Sequence, residues 1–157
     1  MQKITTFLWF DKQAEEAAKL YVSLFKNSKI NSIHHHENAG PQENETVTVV
    51  EFTLEGQKFS ALDGGPLFKF NEAISLLVNC ETQEEVDRLW EKLSDGGQKS
   101  QCGWLKDKYG LSWQIIPTAL SKLMSGPDRE KSGRVMKAMM TMDKIDIQGL
   151  QKAYEGK

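Results

Sequence analysis

The sequence repeats a pattern of apolar and acidic residues at a spacing of about 69 positions, and this duplication limits the fold more than any other feature. In each half, a short apolar strand precedes a helix whose apolar positions recur at helical spacing. The chain therefore predicts two related modules, each with a strand, a helix and two or three further strands. The aligned positions are 7–10 on 76–79, Glu15-Glu16 on Glu84-Glu85, Leu20-Tyr21 on Leu89-Trp90, and Leu24 on Leu93.

Turn and capping signals set the boundaries of the predicted elements. Thr82 and Glu85 have the spacing of a helix capping box, and Asp95-Gly96-Gly97 ends the same helix. Glu55-Gly56 is a turn signal between two strand-like runs, which predicts a hairpin. The predicted strands are 4–10, 29–35, 46–54 and 58–62 in the first module and 73–79, 104–106 and 112–116 in the second, and the first helix covers 14–25.

The segment after Pro117 has the pattern of helices that need a packing partner. A helix start is predicted in SGPDREK with Pro127 at an early helical position, and Asp146 is predicted to cap a last short helix. These helices must bury their apolar side chains on the sheet, on each other or on a second subunit. The side chains are those of Val135, Met136, Met139, Met140, Met142, Ile147, Leu150 and Tyr154.

Charge balance and cysteine content limit the class of protein. Among the 157 residues, 20 Lys and Arg stand against 22 Asp and Glu, a net charge of −2, which argues against a nucleic-acid-binding surface. No apolar run approaches the roughly 18 residues of a membrane-spanning helix, so no membrane partner is expected. Cys80 and Cys102 do not form a CxxC pair, so we expect a reduced, cytoplasmic protein.

The run DKYGLSWQIIP at 107–117 and the preceding TQEEVDRLWEKLSDGG at 82–97 resemble the PhnB-like proteins. This family also carries the name 3-demethylubiquinone-9 3-methyltransferase domain. It belongs to the vicinal-oxygen-chelate superfamily of glyoxalase I, bleomycin-resistance proteins and extradiol dioxygenases. The resemblance covers nearly the whole chain, including LWFDKQAEEAAKLYVSLF, LEGQKFSALDGGP and the tail DREKSGRVMKAMMTMDKIDIQGLQKAY.

The resemblance implies an α+β fold of two paired β-α-β-β-β modules that form a concave, glyoxalase-like half-barrel, followed by C-terminal helices. It implies a single domain over 1–157, with module one at about 1–68, module two at about 69–118 and a helical extension at 119–157. Half-barrels of this kind are commonly completed in a homodimer, so a homodimer is expected.

The resemblance also tells where a metal would lie. Glyoxalase-type relatives hold a divalent metal through His, Glu or Gln on the first and last strands of each module. Among the matching positions only Gln114 is a plausible ligand, because hydroxyl groups are weak, neutral donors. The sequence therefore predicts no metal at this place and no other cofactor. The matching positions are Thr5 or Thr6, Ser60 or Ala61, Ala73 or Ser75, and Gln114.

The consecutive His34, His35 and His36 permit two interpretations. On a strand, His34 and His36 lie on one face, a spacing that suits a metal held together with Glu37. Alternatively, the three belong to a polar edge strand that runs into the Gly40-Pro41 loop, and we favour this second interpretation.

The residues do not support the methyltransferase activity in the family's name. A common S-adenosylmethionine site needs a glycine-rich turn after the first strand, where the backbone approaches the cofactor. Here the first strand ends at Trp9-Phe10-Asp11 and leads into a helix without glycine. Gly64-Gly65 and Gly96-Gly97 belong to a loop and a helix end, so this cofactor is not expected.

A mostly apolar hollow with a few polar groups is the usual form of a small-molecule site. Gln114 is the strongest candidate for such a site, because a buried amide needs a partner. A hydrogen bond from Gln114 to a neighbouring strand would explain this residue equally well. The predicted pocket residues are Thr6, Leu8, Phe10, Ser60, Ser75, Trp104 and Gln114.

These observations favour a metal-independent protein that binds a small molecule. The alternative is a metal-dependent enzyme of the glyoxalase or dioxygenase type, whose metal ligands the sequence does not identify and for which the histidine run is one candidate. A third hypothesis treats the methionine-rich tail as the partner surface of an assembly module, since methionine suits adaptable surfaces.

Overall fold

The computed structural model describes residues 2–42 and 44–157, and the chain divides into two compact units between Phe70 and Asn71. Both units have the order strand, helix, strand, strand, strand, and the second unit continues into three helices. The predicted α+β class with two β-α-β-β-β modules is therefore confirmed. The grouping of both modules into one domain over 1–157 stays a prediction.

The first unit contains a four-stranded sheet and one helix. The strand order is β1-β4-β3-β2, with β1 parallel to β4 and the other pairs antiparallel. Glu55 and Gly56 join β3 to β4 with φ of 48° and 82°, and such a two-residue turn suits the twist of a hairpin. The predicted hairpin is therefore confirmed. The elements are β1 (Thr6–Phe10), α1 (Ala14–Leu24), β2 (Lys29–His36), β3 (Val47–Leu54) and β4 (Gln57–Asp63).

One face of this first sheet packs against α1. The Tyr21 ring lies 6.3 Å from the ring of Phe52, which stacks on Phe59 at 5.4 Å, both distances measured between centroids. Small alanines on the same side of α1 let the helix approach the strands closely. Among residues 2–42 and 44–70, no helix lies on the other face of the sheet. The buried helix residues are Ala14, Ala17, Ala18, Tyr21 and Leu24.

Asp63, at the end of β4, caps the start of α1. Its Oδ1 accepts a hydrogen bond from the amide of Ala14 at 2.8 Å, while the residue at the N-cap, Gln13, makes no side-chain cap. Burial raises the pKa of Asp63 above its ordinary value; the Ala14 bond opposes this, and the nearby charges of Asp11 and Glu15 raise the pKa further. The ionised form of Asp63 is therefore less favourable in the folded chain than in the unfolded one.

This raised pKa predicts a pH effect on stability. The contribution of Asp63 is fully present below its unfolded pKa and is lost as the pH rises through the folded pKa. The substitution Asp63→Asn keeps an acceptor oxygen for Ala14 but removes the ionisation. We expect the melting temperature of the variant, relative to the original chain, to increase between about pH 4 and about pH 7. Circular dichroism melts at both pH values measure this difference, and a difference that decreases with pH would contradict the assignment.

The second unit repeats the topology of the first. Its strand order is β5-β8-β7-β6, with β5 parallel to β8. The predicted capping box forms in part, since the Thr82 hydroxyl accepts from the amide of Glu85 at 3.2 Å. The Glu85 carboxylate accepts from the amide of Glu81 rather than from that of Thr82. The elements are β5 (Ser75–Cys80), α2 (Gln83–Ser94), β6 (Gln98–Lys99), β7 (Trp104–Lys106) and β8 (Ser112–Pro117).

Three helices follow β8, namely α3 (Thr118–Met124), α4 (Arg129–Met140) and α5 (Ile147–Glu155). They share a small core of the fully buried Val135, Ile145 and Leu150. Within the described residues, no helix has both the length and the apolar character needed to cross a membrane.

The structure corrects two details of the predicted tail. Asp128 is the N-cap of α4 and accepts from the amide of Glu130 at 3.1 Å, so Pro127 precedes the helix instead of lying in its first turn. Met136 and Met140 are 38% and 61% exposed and do not join the core, because they lie on the outer side of α4. The predicted cap at Asp146 is confirmed, since its carboxylate accepts from the amide of Gln148 at 3.1 Å.

Candidate functional site

The second sheet has one face packed under α2 and one face that α2 does not cover. Trp113 and Ile115 of β8 and Leu105 of β7 are buried on the α2 side. Because side chains alternate along a strand, Ser112 and Gln114 lie on the opposite side. We call this side the open face of the second sheet. Its strand residues are Ser75, Leu77, Trp104, Lys106, Ser112 and Gln114.

Three of the predicted pocket residues meet on this open face. Gln114 is paired in register with Trp104 of β7 and with Leu77 of β5. The Gln114 Nε2 donates a hydrogen bond to the Ser75 hydroxyl at 2.9 Å. This bond to the neighbouring strand β5 is the one that the second interpretation of Gln114 required, and it fixes the amide toward β5. Trp104 lies on β7, on the other side of β8. Leu77 remains 51% exposed and adds an apolar surface next to them.

A cavity of about 120 Å³ lies on the same side, between the strands β6, β7 and β8 and the segment before β5. Lys106 and Glu72 form an ion pair within its lining. The hydrogen bond from Lys106 lowers the pKa of Glu72 below its ordinary value, so the Glu72 carboxylate is ionised at neutral pH. The cavity is lined by Glu72, Gln98, Ser100, Trp104, Leu105, Lys106 and Ser112.

The structure does not bring the predicted pocket residues of the first sheet to one face. Leu8 and Phe10 are 5% and 3% exposed and lie on the α1 side, and Thr6 shares this side through its register with Phe59. Ser60 lies on the other side, in register with Phe7. Thr6, Leu8 and Phe10 therefore lie on the core side of the first sheet, and Ser60 lies on its other side. The role of these residues in binding a ligand stays a prediction.

A second cavity, of about 430 Å³, lies on the side of Ser60. Asn31 donates from its amide to the Thr53 hydroxyl at 2.8 Å within this lining. The lining is polar and carries both signs of charge, and sequence reasoning did not single it out except at Ser60 and Thr5. The lining residues are Thr5, Lys29, Asn31, Glu51, Thr53, Lys58, Phe59 and Ser60.

The positions at which glyoxalase-type relatives hold a metal do not fit one here. Gln114 is the only amide or carboxylate among them, and one neutral amide oxygen with hydroxyl groups is a weak set of donors for a first-row metal. Within residues 2–42 and 44–157, no group of three or more His, Cys, Asp and Glu side chains is placed to hold an ion. The rings of His34 and His36 share a face of β2 with centroids 6.3 Å apart, but both side chains are exposed.

The thiol of Cys80 lies in a setting that disfavours its ionised form. Cys80 and Cys102 are both unpaired, and Cys80 is fully buried. Burial raises the pKa of Cys80 to about 12, so this thiol stays protonated at neutral pH. Cys80 therefore acts as a small, buried apolar residue at the end of β5.

Most of the chain matches one known protein family. A sequence profile for the family described as 3-demethylubiquinone-9 3-methyltransferase matches residues 2–116. The chain belongs to this family. Helices α3 to α5 lie beyond the part that the 3-demethylubiquinone-9 3-methyltransferase profile matches, since α3 begins at Thr118.

Solved structures agree with this assignment. A PhnB protein from Bacillus cereus is 43% identical over 74% of this chain and 99% of its own, with a TM-score of 0.66. PA1353 from Pseudomonas aeruginosa (16% identity, TM-score 0.55) covers 74% of this chain and 98% of its own. The fosfomycin resistance protein FosX from Listeria monocytogenes, solved with Mn(II) and sulfate, has 13% identity and a TM-score of 0.50, covering 72% and 90%. At these low identities the last two structures show a shared fold alone, which for FosX is the glyoxalase-type fold. No curated protein matched the sequence.

The run DKYGLSWQIIP at 107–117, which resembles the family, has a structural role in this chain. The buried carboxylate of Asp107 accepts from the amides of Tyr109 and Leu111 at 2.9 and 3.0 Å. Its other oxygen accepts from the indole of Trp113 at 2.9 Å. Asp107 thereby holds the turn between β7 and β8 and orients Trp113 toward the α2 side, away from the open face.

Sequence reasoning missed Ser112, Lys106 and Glu72 as residues of the site. The alternation along β8 was a sufficient signal for Ser112, since it lies two positions before Gln114. The pairing of Lys106 with Glu72 joins residues far apart in the chain, and local patterns carry no signal for it.

Proposed function

We propose that this protein binds a small molecule on the open face of its second sheet and does so without a metal. The observation that supports this proposal most is the joint placement of Ser75, Gln114 and Trp104. An ordered amide and hydroxyl on the same sheet face as an aromatic residue and the exposed Leu77 provide the mixture of apolar surface and fixed polar groups that small-molecule sites use. In this respect the protein would act as bleomycin-resistance proteins do, by binding.

The substitution Gln114→Ala tests this proposal. It removes the bond to Ser75 and one polar contact for a ligand, and we expect it to weaken retention of a co-purified small molecule by about tenfold while leaving the melting temperature nearly unchanged. Native mass spectrometry of the untagged protein measures retention, with indole added as an aromatic probe where nothing co-purifies. Gln101→Ala, at an exposed glutamine in the same unit, is the matched control. Equal retention by both variants would remove Gln114 from the site.

Titration with metal ions tests the metal-independent part of the proposal. Neutral hydroxyls and one amide that is already bonded are poor ligands for first-row metals. We expect calorimetric titration with Ni²⁺, Zn²⁺ or Fe²⁺ to show no tight stoichiometric binding to the untagged chain. Tight binding of one ion per chain would favour the alternative, a metal-dependent enzyme of the glyoxalase or dioxygenase type. Loss of that binding in a His34→Ala, His36→Ala variant would then assign the ion to the histidine run.

The proposal extends to the state of the protein in the cell. We expect a cytoplasmic homodimer, and the unpaired thiols of Cys80 and Cys102 agree with a reducing compartment. Exposed apolar side chains offer surface for a second copy, for example Ile4 at 85% and Ile74 at 71% exposure. Light scattering of the full chain should give twice the mass of one chain, and a mass of one chain would refute the dimer.

A further inference from the structure

Ser112 lines the cavity on the open face of the second sheet with a hydroxyl group that is fully buried and has no hydrogen-bond partner among the described residues. Buried polar groups in folded proteins are almost always hydrogen-bonded, because an unpaired one loses its contacts with water without compensation. A serine in this position therefore indicates a hydrogen-bonding group that enters the cavity from outside the chain.

The charges around the cavity limit what this group can be. Lys106 and Glu72 form an ion pair with each other, so the lining offers no uncompensated charge to an ion. An anion would add a second negative charge beside Glu72, and a cation would add a second positive charge beside Lys106. The cavity therefore favours a neutral occupant.

The remaining lining groups favour hydroxyls on a ring. The side chains of Ser100, Ser112 and Gln98 can each donate and accept hydrogen bonds. A ligand hydroxyl group can pair with either kind of group, because it is itself a donor and an acceptor. Trp104 contributes an aromatic surface, against which the C–H side of a saturated ring can pack. A cavity of about 120 Å³ has room for one such ring or part of it, and not for a large ligand.

We propose that this cavity binds a neutral, polyhydroxylated ring of the monosaccharide type, with Ser112 bonded to one hydroxyl and Trp104 against the ring. This inference rests on the proposed function, since it names the chemical class of the ligand for the same open face. It adds Ser112, Ser100 and Gln98 as ligand-binding residues, and it assigns the Lys106–Glu72 pair the role of rejecting charged analogues.

Three probes of matched shape test the proposal: D-glucose, D-glucuronate and D-glucosamine, which are neutral, anionic and cationic. Titrations of the full ¹⁵N-labelled chain should show saturable shifts of the Trp104 indole and the Ser112 and Lys106 amides with D-glucose. The two charged sugars should bind at least about tenfold more weakly. Ser112→Ala should weaken D-glucose binding by about tenfold, and the matched control Ser121→Ala, at an exposed serine of α3, should not change it.

The outcomes separate this inference from the proposed function. Equal affinity for the three sugars, or unchanged affinity in Ser112→Ala, would overturn the neutral-ring proposal. If D-glucose shifts no resonance of the cavity while indole shifts Gln114 and Ser75, the inference fails and the small-molecule function stands. If neither probe shifts any residue of the open face, both proposals fail.

Discussion

Replacing Asp107 by alanine is expected to lower the free energy of unfolding by about 4 kcal/mol, because it leaves three donors without their acceptor. The donors are the amides of Tyr109 and Leu111 and the indole of Trp113. Asp107 is only 2% exposed, so water does not readily replace the carboxylate. Urea unfolding followed by fluorescence measures the change.

Two further variants separate the hydrogen bonds from general effects of substitution. Asp107→Asn keeps one acceptor oxygen, so it should lower the free energy of unfolding by less, about 2 kcal/mol. Asp95→Ala removes an exposed aspartate of the same unit and should change the free energy by no more than about 0.5 kcal/mol. If Asp107→Ala behaves like Asp95→Ala, the carboxylate does not hold the turn.

The substitution Gln83→Met should detach the last helix from α2. The Gln83 side chain donates to the carbonyl of Ile145 at 3.0 Å and accepts from the amide of Ile147 at 2.8 Å. Methionine preserves the length of the side chain but leaves both backbone groups unpaired, at a cost of about 2 kcal/mol. We expect faster hydrogen exchange of the α5 amides, because the helix then opens more often than the sheet.

A matched variant shows whether the effect is specific to this clamp. Lys144→Ala removes only the exposed ion pair with Asp87, and such pairs contribute about 1 kcal/mol or less. Its exchange rates in α5 should therefore remain close to those of the original chain. Similar rates in Gln83→Met and Lys144→Ala would show that Ile145 and its apolar neighbours hold α5 without the glutamine.

The order of elements could be predicted from the sequence because periodicity and capping are local. The Thr82 cap and the Glu55-Gly56 turn were placed correctly for this reason. The first strand was predicted from residue 4, but β1 begins at Thr6, and Ile4 remains 85% exposed since no strand pairs with it. Helix α3 was missed because it is short and has no side-chain cap.

The site was harder to predict, because it depends on which side of a strand faces the helix. A strand of alternating residues gives two sets of side chains, and a single sequence does not tell which set is covered. For β8 the structure places Gln114 on the open face and bonds it to Ser75, and the pocket role of both residues stays a prediction. For β1 the apolar Leu8 and Phe10 were assigned to a pocket, while the structure packs them against α1. Ser60, which was assigned to the same pocket as Leu8 and Phe10, pairs with Phe7 and therefore lies on the opposite face of the sheet.

The parallel pairing of β1 with β4 has a consequence for how the chain folds. Thr6 pairs with Phe59, so β1 finds its neighbour β4 only after nearly the whole module has been synthesised. Closing such a distant pair is slow compared with forming the β3–β4 hairpin. Until β4 has been made, the backbone groups of β1 bond to water, and its open edge can pair with another chain.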